Sequence, residues 1–462
     1  MEKLLIRNFK SIKNQAQVEI ELAKLLVLMG EQASGKSTLA KLVYFFKTLK
    51  EEILNEIIEN ENLSDNTLDQ AIILRTRRYF INMFGSTTHL SDFSLIYTIK
   101  SGLSASKNID IKLSKGQRTG NLIVKFHKNI KDGIIKHILP LKNELKKSSS
   151  GFDEFSRRER ELIIGKMAQV LNVIFISNNQ SNLFMPASRN MTVMLEHHLT
   201  DIFFKLENSL ARDLQLNASA RFQSENEIII LKFLQYLRTV KSRFKNSGDF
   251  KSLIVDTKQY APINERLLHI VIGKAETILK GRYGQDQYGE KIFFGSDSNS
   301  GYVYLNNASS GQQESIRILQ DVFLGILDNN PVFRIYEEPE SHLSPNGQQV
   351  LLEAISMLAN INKLNQIIIT THSSYIIRVI DNLLKAKTIE KKKPFIKDDI
   401  GKIIEKEAWI DFDKINVYFL DSGEIKNAKN SEYKSIDAQL FDDVGEKISD
   451  QFDNLLNLQY DE

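Results

Sequence analysis

The chain has 462 residues, more than one hydrophobic core usually serves, so two structural lobes around one site are expected. Its 61 Lys and Arg against 58 Asp and Glu leave a formal charge of +3, which gives no global basic field for nucleic acid and leaves only a local patch open. The absence of cysteine excludes a disulfide framework, a thiolate zinc site and a cysteine nucleophile, and it fits a reducing cytoplasm. No apolar run reaches about 18 residues and Met1 to Phe9 lacks a signal-peptide core, so the expectation is a cytoplasmic protein that neither spans a membrane nor is exported.

Leu4 to Asn14 alternates as a first strand and Val18 to Leu22 as a second, so the chain is expected to open with the sheet that carries its phosphate-binding loop. Leu25 to Met29 is an apolar strand, and Gly30, Glu31, Gln32, Ala33, Ser34, Gly35, Lys36 and Ser37 then satisfy the pattern of two glycines four residues apart before Lys-Ser. The glycines let backbone amides curl towards phosphate oxygens. Lys36 is suited to the β- and γ-phosphates and the Ser37 hydroxyl to Mg²⁺, while a helix starting near Lys36 turns its free amides and positive end to the anion. Thr48 to Ile58 continues helical, Glu59 to Asn66 reads as a linker, and Asp69 to Met83 is again amphipathic. Phe93 to Lys100, Asn108 to Leu113 and Leu122 to His127 alternate between Ser, Gly and Lys turns, which predicts an antiparallel sheet beside the core.

From Asp132 to Lys280 the pattern is largely helical, clearest over Glu161 to Val173 and Asn226 to Phe244, without the sustained heptads of a long coiled coil. Lys142 to Gly151 reads as an exposed loop. Pro186 in Phe184 to Asn190 is expected to interrupt a helical region, and Arg189 after it reads as a surface or capping residue, or else as a nucleotide or partner contact. A strand from Tyr302 leads through Ala308 into a helix whose start carries Ser309, Ser310, Gly311 and Gln312, either as an ordinary cap or as a second anion site. Pro331 to Leu343 then holds an apolar strand ending in Glu337 and Glu338, followed by Pro339 and Glu340. Carboxylates at such a strand end suit hydrated Mg²⁺ and a general base. One βαβ unit later, Ile367 to Ser374 is a strand ending at His372, a candidate γ-phosphate contact.

Residues 1–45 and 300–385 together resemble the ABC-type ATPases of the SMC/RecF and OLD group. That resemblance implies an α/β fold, an ABC-type P-loop NTPase head with an antiparallel β lobe and an inserted helical lobe. The expected division is 1–130, 131–285 and 286–462. It also implies Walker A at Gly30 to Thr38, the signature motif at Ala308 to Gln312, Walker B at Ile335 to Glu340 and the D-loop at Ser341 to Pro345. Glu338 matches the catalytic glutamate and His372 the switch histidine, with Lys36 acting beside them. Ser37 and Glu337 fall at the metal, and Glu337 stands where the family usually has Asp. No Q-loop glutamine is assigned.

The cofactors so implied are ATP and Mg²⁺, and the partner is a second copy that closes a head-to-tail dimer around two ATP molecules, with a higher oligomer through the helical lobe left open. The Ser-Ser-Gly-Gln-Gln-Glu segment from Ser309, the acidic strand, the Phe184 segment and the length resemble stand-alone ATPase subunits of bacterial anti-phage systems such as PARIS and Septu. Those work with a separate nuclease effector, and DNA or a phage protein is the expected trigger. A RecF-like ATPase that clamps DNA is the alternative, and a transporter's ATPase subunit a further one. Asp411 and Asp413 resemble a Toprim-like Asp-x-Asp, but Trp409 to Ile425 reads instead as a closing β-hairpin.

Overall fold

Two burial patterns sort the strands into two sheets. β1 (Glu2–Arg7), β2 (Val18–Leu22), β4 (Ser94–Ile99), β5 (Ile109–Lys115) and β6 (Leu122–Phe126) alternate buried and half-buried residues. β3 (Leu25–Gly30) is buried throughout, and β11 (Val332–Glu337) and β12 (Gln366–Thr371) are buried at all but one end. Alternation suits an antiparallel sheet with one covered face, and continuous burial suits a parallel sheet covered on both. The computed structural model describes residues 2–13, 16–100, 108–116, 120–148, 154–194, 227–295, 301–437 and 449–453.

The first group forms an antiparallel sheet in the order β2-β1-β4-β5-β6, with Leu4 opposite both Ile20 and Tyr97. The expectation that β1 and β2 belong to the phosphate-loop sheet is therefore corrected. Their alternating Lys3, Glu19 and Glu21 need a wet face, which a doubly covered sheet does not offer. The second sheet has the order β14-β13-β3-β12-β11-β7, built with β7 (Ser181–Met185), β13 (Ile415–Asp421) and β14 (Glu424–Asn427). β7, β11, β12, β3 and β13 all run parallel, and only β14 returns antiparallel, as the second arm of a hairpin with β13. A three-stranded sheet of β8 (Arg282–Asp286), β9 (Gly289–Phe293) and β10 (Tyr302–Tyr304) precedes the Ser309 segment.

Because β3 alternates, it is a wall between two cores. Leu25, Val27 and Met29 pack into one cluster, with Ile316, Phe323 and Leu352; Leu26 and Leu28 pack into the other, with Leu39, Phe45 and Tyr97. The helices on the second side are α1 (Lys36–Glu59), α2 (Leu68–Phe84), α3 (Lys128–His137), α4 (Leu139–Ser148) and α5 (Glu154–Ile174). Those on the first include α6 (Glu227–Ser247), α7 (Phe250–Lys258), α8 (Glu265–Leu279), α9 (Ser310–Asp328), α10 (Pro345–Ile361) and α11 (Ser374–Lys392). The described residues of 131–285 thus feed both cores.

Two local expectations change. Lys142 to Ser148 is helical rather than a loop, part of α4 with Leu145 buried, and 149–151 lie outside the described residues. Pro186 does not interrupt a helix. It follows β7, the outermost strand beside β11, whose ladder pairs Phe184 with Ile335.

Candidate functional site

Parallel strands deliver their carboxyl ends to one edge of a sheet, which is where α/β proteins place ligands. Here that edge collects the loop after β3, the acids after β11, His372 after β12 and the Pro186 to Arg189 loop after β7. Gly30 is the last residue of β3, at φ 152°, and a Cβ there would meet the Leu420 carbonyl oxygen at 2.0 Å, so only glycine fits. Glu31, Gln32 and Ala33 are exposed, and Ser34 is buried with no hydrogen-bond partner for its hydroxyl. Gly35, at φ 109°, precedes α1, whose first turn carries Lys36, Ser37 and Thr38. The opening amides of a helix have no partner within it, so this turn presents donors to the loop.

Lys36 is 5% exposed and donates from Nζ to Gly30 O at 2.7 Å and Glu31 O at 2.6 Å. Burial lowers its pKa below the ordinary 10.5, while Glu338, Glu340, Glu337 and Glu31 pull the other way. That opposition ties the lysine to the acids after β11. Glu337 ends the strand, and its Oε2 accepts from the Ala187 amide at 3.1 Å. Glu338 follows at φ 45°, an uncommon left-handed conformation for a side-chain-bearing residue. Its amide donates to Thr370 O at 3.0 Å, and its carboxylate, 31% exposed, lies 3.9 Å from His372 Nδ1.

Glu340 is buried at 3% and accepts from Thr371 Oγ1 at 2.6 Å and from the His372 amide at 3.1 Å, which ties the ends of β11 and β12 together. Its other oxygen is buried without a hydrogen-bond partner. His372 itself is exposed. Lys36, Glu337, Glu338 and His372 thus meet at one sheet edge, and Glu340 and Arg189 join them. From the sequence alone Glu340 has no role separate from its neighbouring acids. Arg189 is neither at the surface nor a cap, because it is fully buried against the Glu337 and Glu338 carbonyls.

Ser309, Ser310, Gly311 and Gln312 sit at the start of α9. Ser309 is the N-cap of a full capping box with Gln312, so the ordinary-cap reading holds structurally. Both serines are nonetheless exposed. Gly311 presses against the acidic-strand loop, where a Cβ would meet His342 O at 2.6 Å. The turn is therefore held from behind and open in front.

The arrangement fits a nucleoside triphosphate. A loop bracketed by two positive-φ glycines, an unsatisfied buried Ser34 hydroxyl, a buried lysine and a helix start offer the donors an anion needs, with acids opposite. Among the described residues no group of three or more His, Cys, Asp or Glu is placed to hold a metal. Mg²⁺ commonly needs only one or two protein ligands beside phosphates; the Ser37 hydroxyl lies in the first turn of α1 and the Glu337 carboxylate ends β11.

Fold and site define a P-loop ATPase. The chain belongs to the AAA ATPase domain family, which matches residues 1–377, and is accordingly a nucleotide-binding ATPase. No curated protein gives a significant match. Among solved structures it is similar to the SMC head domain from Thermotoga maritima at 10% identity, over 92% of this chain and 97% of that one, with a TM-score of 0.36. It is also similar to an SMC head bound to the C-winged helix domain of ScpA at 12% identity, over 93% and 98%, with a TM-score of 0.38. No helix among the described residues is long and apolar enough to cross a membrane.

Proposed function

We propose that this ATPase works as a nucleotide-switched dimer whose sites are shared between copies. Gly30 to Thr38 of one copy would hold the triphosphate, with Ser37 and Glu337 at Mg²⁺, and Ser309 to Gln312 of the other copy would complete the site. The single observation that carries this reading is the start of α9. Ser309 and Ser310 are exposed there while Gly311 and the capping box hold the turn rigid, as a surface awaiting an anion from outside the chain would be.

Mg²⁺ supplies charge neutralisation to the phosphates when bound. Lys36 neutralises and orients the same phosphates, Glu338 takes the proton of the attacking water, and His372 senses the terminal phosphate from the neighbouring strand. Glu340 holds His372 in place through its amide and Thr371. Closing the dimer on ATP and opening it after hydrolysis gives two states with different surfaces, which is what control of a partner requires. The resemblance to stand-alone ATPase subunits of anti-phage systems supports a separate nuclease as that partner, held or released under a DNA or phage-protein trigger.

Glu338→Gln should bind ATP and accumulate as a dimer by light scattering in Mg-ATP, returning to monomer without nucleotide. A monomer under saturating Mg-ATP would overturn the shared site. Co-purification with a nuclease encoded nearby supports the effector role; strong salt-dependent, ATP-driven DNA affinity would favour the DNA clamp instead.

A further inference from the structure

One fully buried cation joins three elements behind the acids. Arg189 lies on the loop after β7 with its side chain 0% exposed. Its Nη1 donates to Glu337 O at 2.8 Å and Pro186 O at 3.2 Å, Nη2 donates to Glu338 O at 3.0 Å, and Nε donates to Glu314 O at 3.1 Å. Nε is also 3.2 Å from the Glu314 carboxylate, which is buried on α9 five residues beyond Ser309. Burial lowers the guanidinium from its ordinary value while Glu314, Glu340, Glu337 and Glu338 support the charge, and an arginine stays protonated under such opposition.

Sinking a charge this deep is costly and does little for stability that apolar packing could not do. What the planar fork does here is geometric. It grips two consecutive carbonyls, Glu337 and Glu338, and so fixes the peptide between them and the left-handed φ of 45° at Glu338. Ser341 reinforces the grip, its amide at 3.1 Å and its hydroxyl at 2.9 Å from the same Glu338 oxygen. Glu338 thus has a clamped backbone under a partly exposed carboxylate, and the clamp is anchored in the helix that begins at Ser309.

We infer that Arg189 is a positioning residue that aligns the Glu338 carboxylate for hydrolysis and couples that alignment to the seating of α9, so that an event at Ser309 and Ser310 reaches the acid through Glu314 and Arg189. This rests on the proposed role of Glu338 as the residue that activates water.

The test compares Arg189→Gln and Arg189→Lys with Glu314→Gln and Ser341→Ala, reading Mg-ATP affinity and steady-state hydrolysis separately. For Arg189→Gln, kcat should fall about 100-fold with ATP affinity changed less than about 3-fold, the scale of a misaligned general base. Lysine cannot grip two carbonyls in one plane and should not restore kcat. Combined with Glu338→Gln, Arg189→Gln should cost nothing further, because both act through one carboxylate.

Full multiplication of the two losses, or an affinity loss as large as the loss in kcat, would overturn the proposal. If the Arg189 variants do not fold, Glu314→Gln and Ser341→Ala carry the test, each with kcat lowered about 10-fold at intact affinity. Unchanged kcat in both overturns it. If Glu338→Gln alone hydrolyses ATP at the normal rate, the reading of Glu338 fails instead, which separates the two claims.

Discussion

The acids after β11 are chemically alike and differently housed, as their different proposed roles require. Glu337 spends one oxygen on the Ala187 amide, Glu340 is buried and spends one on Thr371 and His372, and Glu338 keeps its carboxylate partly in the open. A group that takes a proton from water needs that opening, whereas a group that fixes geometry needs burial. Lys36 reads the same cluster from the other side. Burial lowers its pKa below 10.5, so its ammonium is lost at a lower pH than that of an ordinary lysine. Phosphate binding needs the charged form, and ATP affinity measured by titration should therefore weaken as pH rises through the alkaline range below 10.5. Lys36→Ala should remove both the affinity and that alkaline dependence. An affinity flat in pH until 10.5 would separate Lys36 from the phosphates.

At the scale of elements, β3, β11 and β12 were legible because apolar stretches, unbroken in β3, interrupted by Arg334 in β11 and closed by Thr370 and Thr371 in β12, lead into chemistry-bearing residues at Gly30, Glu337 and His372. β7 was not. Its five residues begin with exposed Ser181, and only pairing with β11 makes them a strand, so Pro186 read as a helix breaker instead of a strand terminus. The alternation of β1 was legible but its sheet was not, because its partner strand β4 lies far along the chain. Arg189 and the Glu290 cluster were hidden for another reason, since charged residues default to the surface.

Glu290 on β9 is fully buried and receives Arg317 of α9 at 2.6 and 2.7 Å, Tyr283 at 2.7 Å and Lys241 of α6 at 3.3 Å, which binds the Ser309 helix to its flanking sheet. Burial pushes its pKa up, but Arg317, Lys241 and Tyr283 outweigh it and hold the carboxyl well below 4.5. A depressed carboxylate stabilises the fold above its unfolded pKa and ceases to as pH falls through the folded value. Glu290→Gln should thus lower unfolding stability by about 3–5 kcal/mol at neutral pH in chemical denaturation. The gap from the parent protein should narrow below pH 4.5. A gap that stays constant into acid would mean the carboxylate's charge is not what holds α9.

At the scale of the whole molecule, the central sheet separates two cores and sends its strand ends to one edge, so the loop after β3, the acids and His372 reach a common edge within a single chain. Ser309 is placed differently, at the start of a helix packed on one core, with its side chain exposed. A site completed by a second copy predicts that two crippled chains can rescue each other. Lys36→Ala destroys a chain's phosphate loop but leaves its Ser309 usable, and Ser309→Arg does the reverse, with a bulky cation where the helix start should meet phosphate. In an equal mixture, random pairing makes half the dimers mixed, and each mixed dimer holds one intact site. With independent sites, hydrolysis should recover to about a quarter of the parent rate while each variant alone is inactive. The signature of a shared site is this recovery, together with its disappearance when the mixture is diluted below the concentration at which dimers form. A Ser309→Arg chain that hydrolyses ATP normally by itself would confine the site to one copy and leave the start of α9 as a helix cap alone.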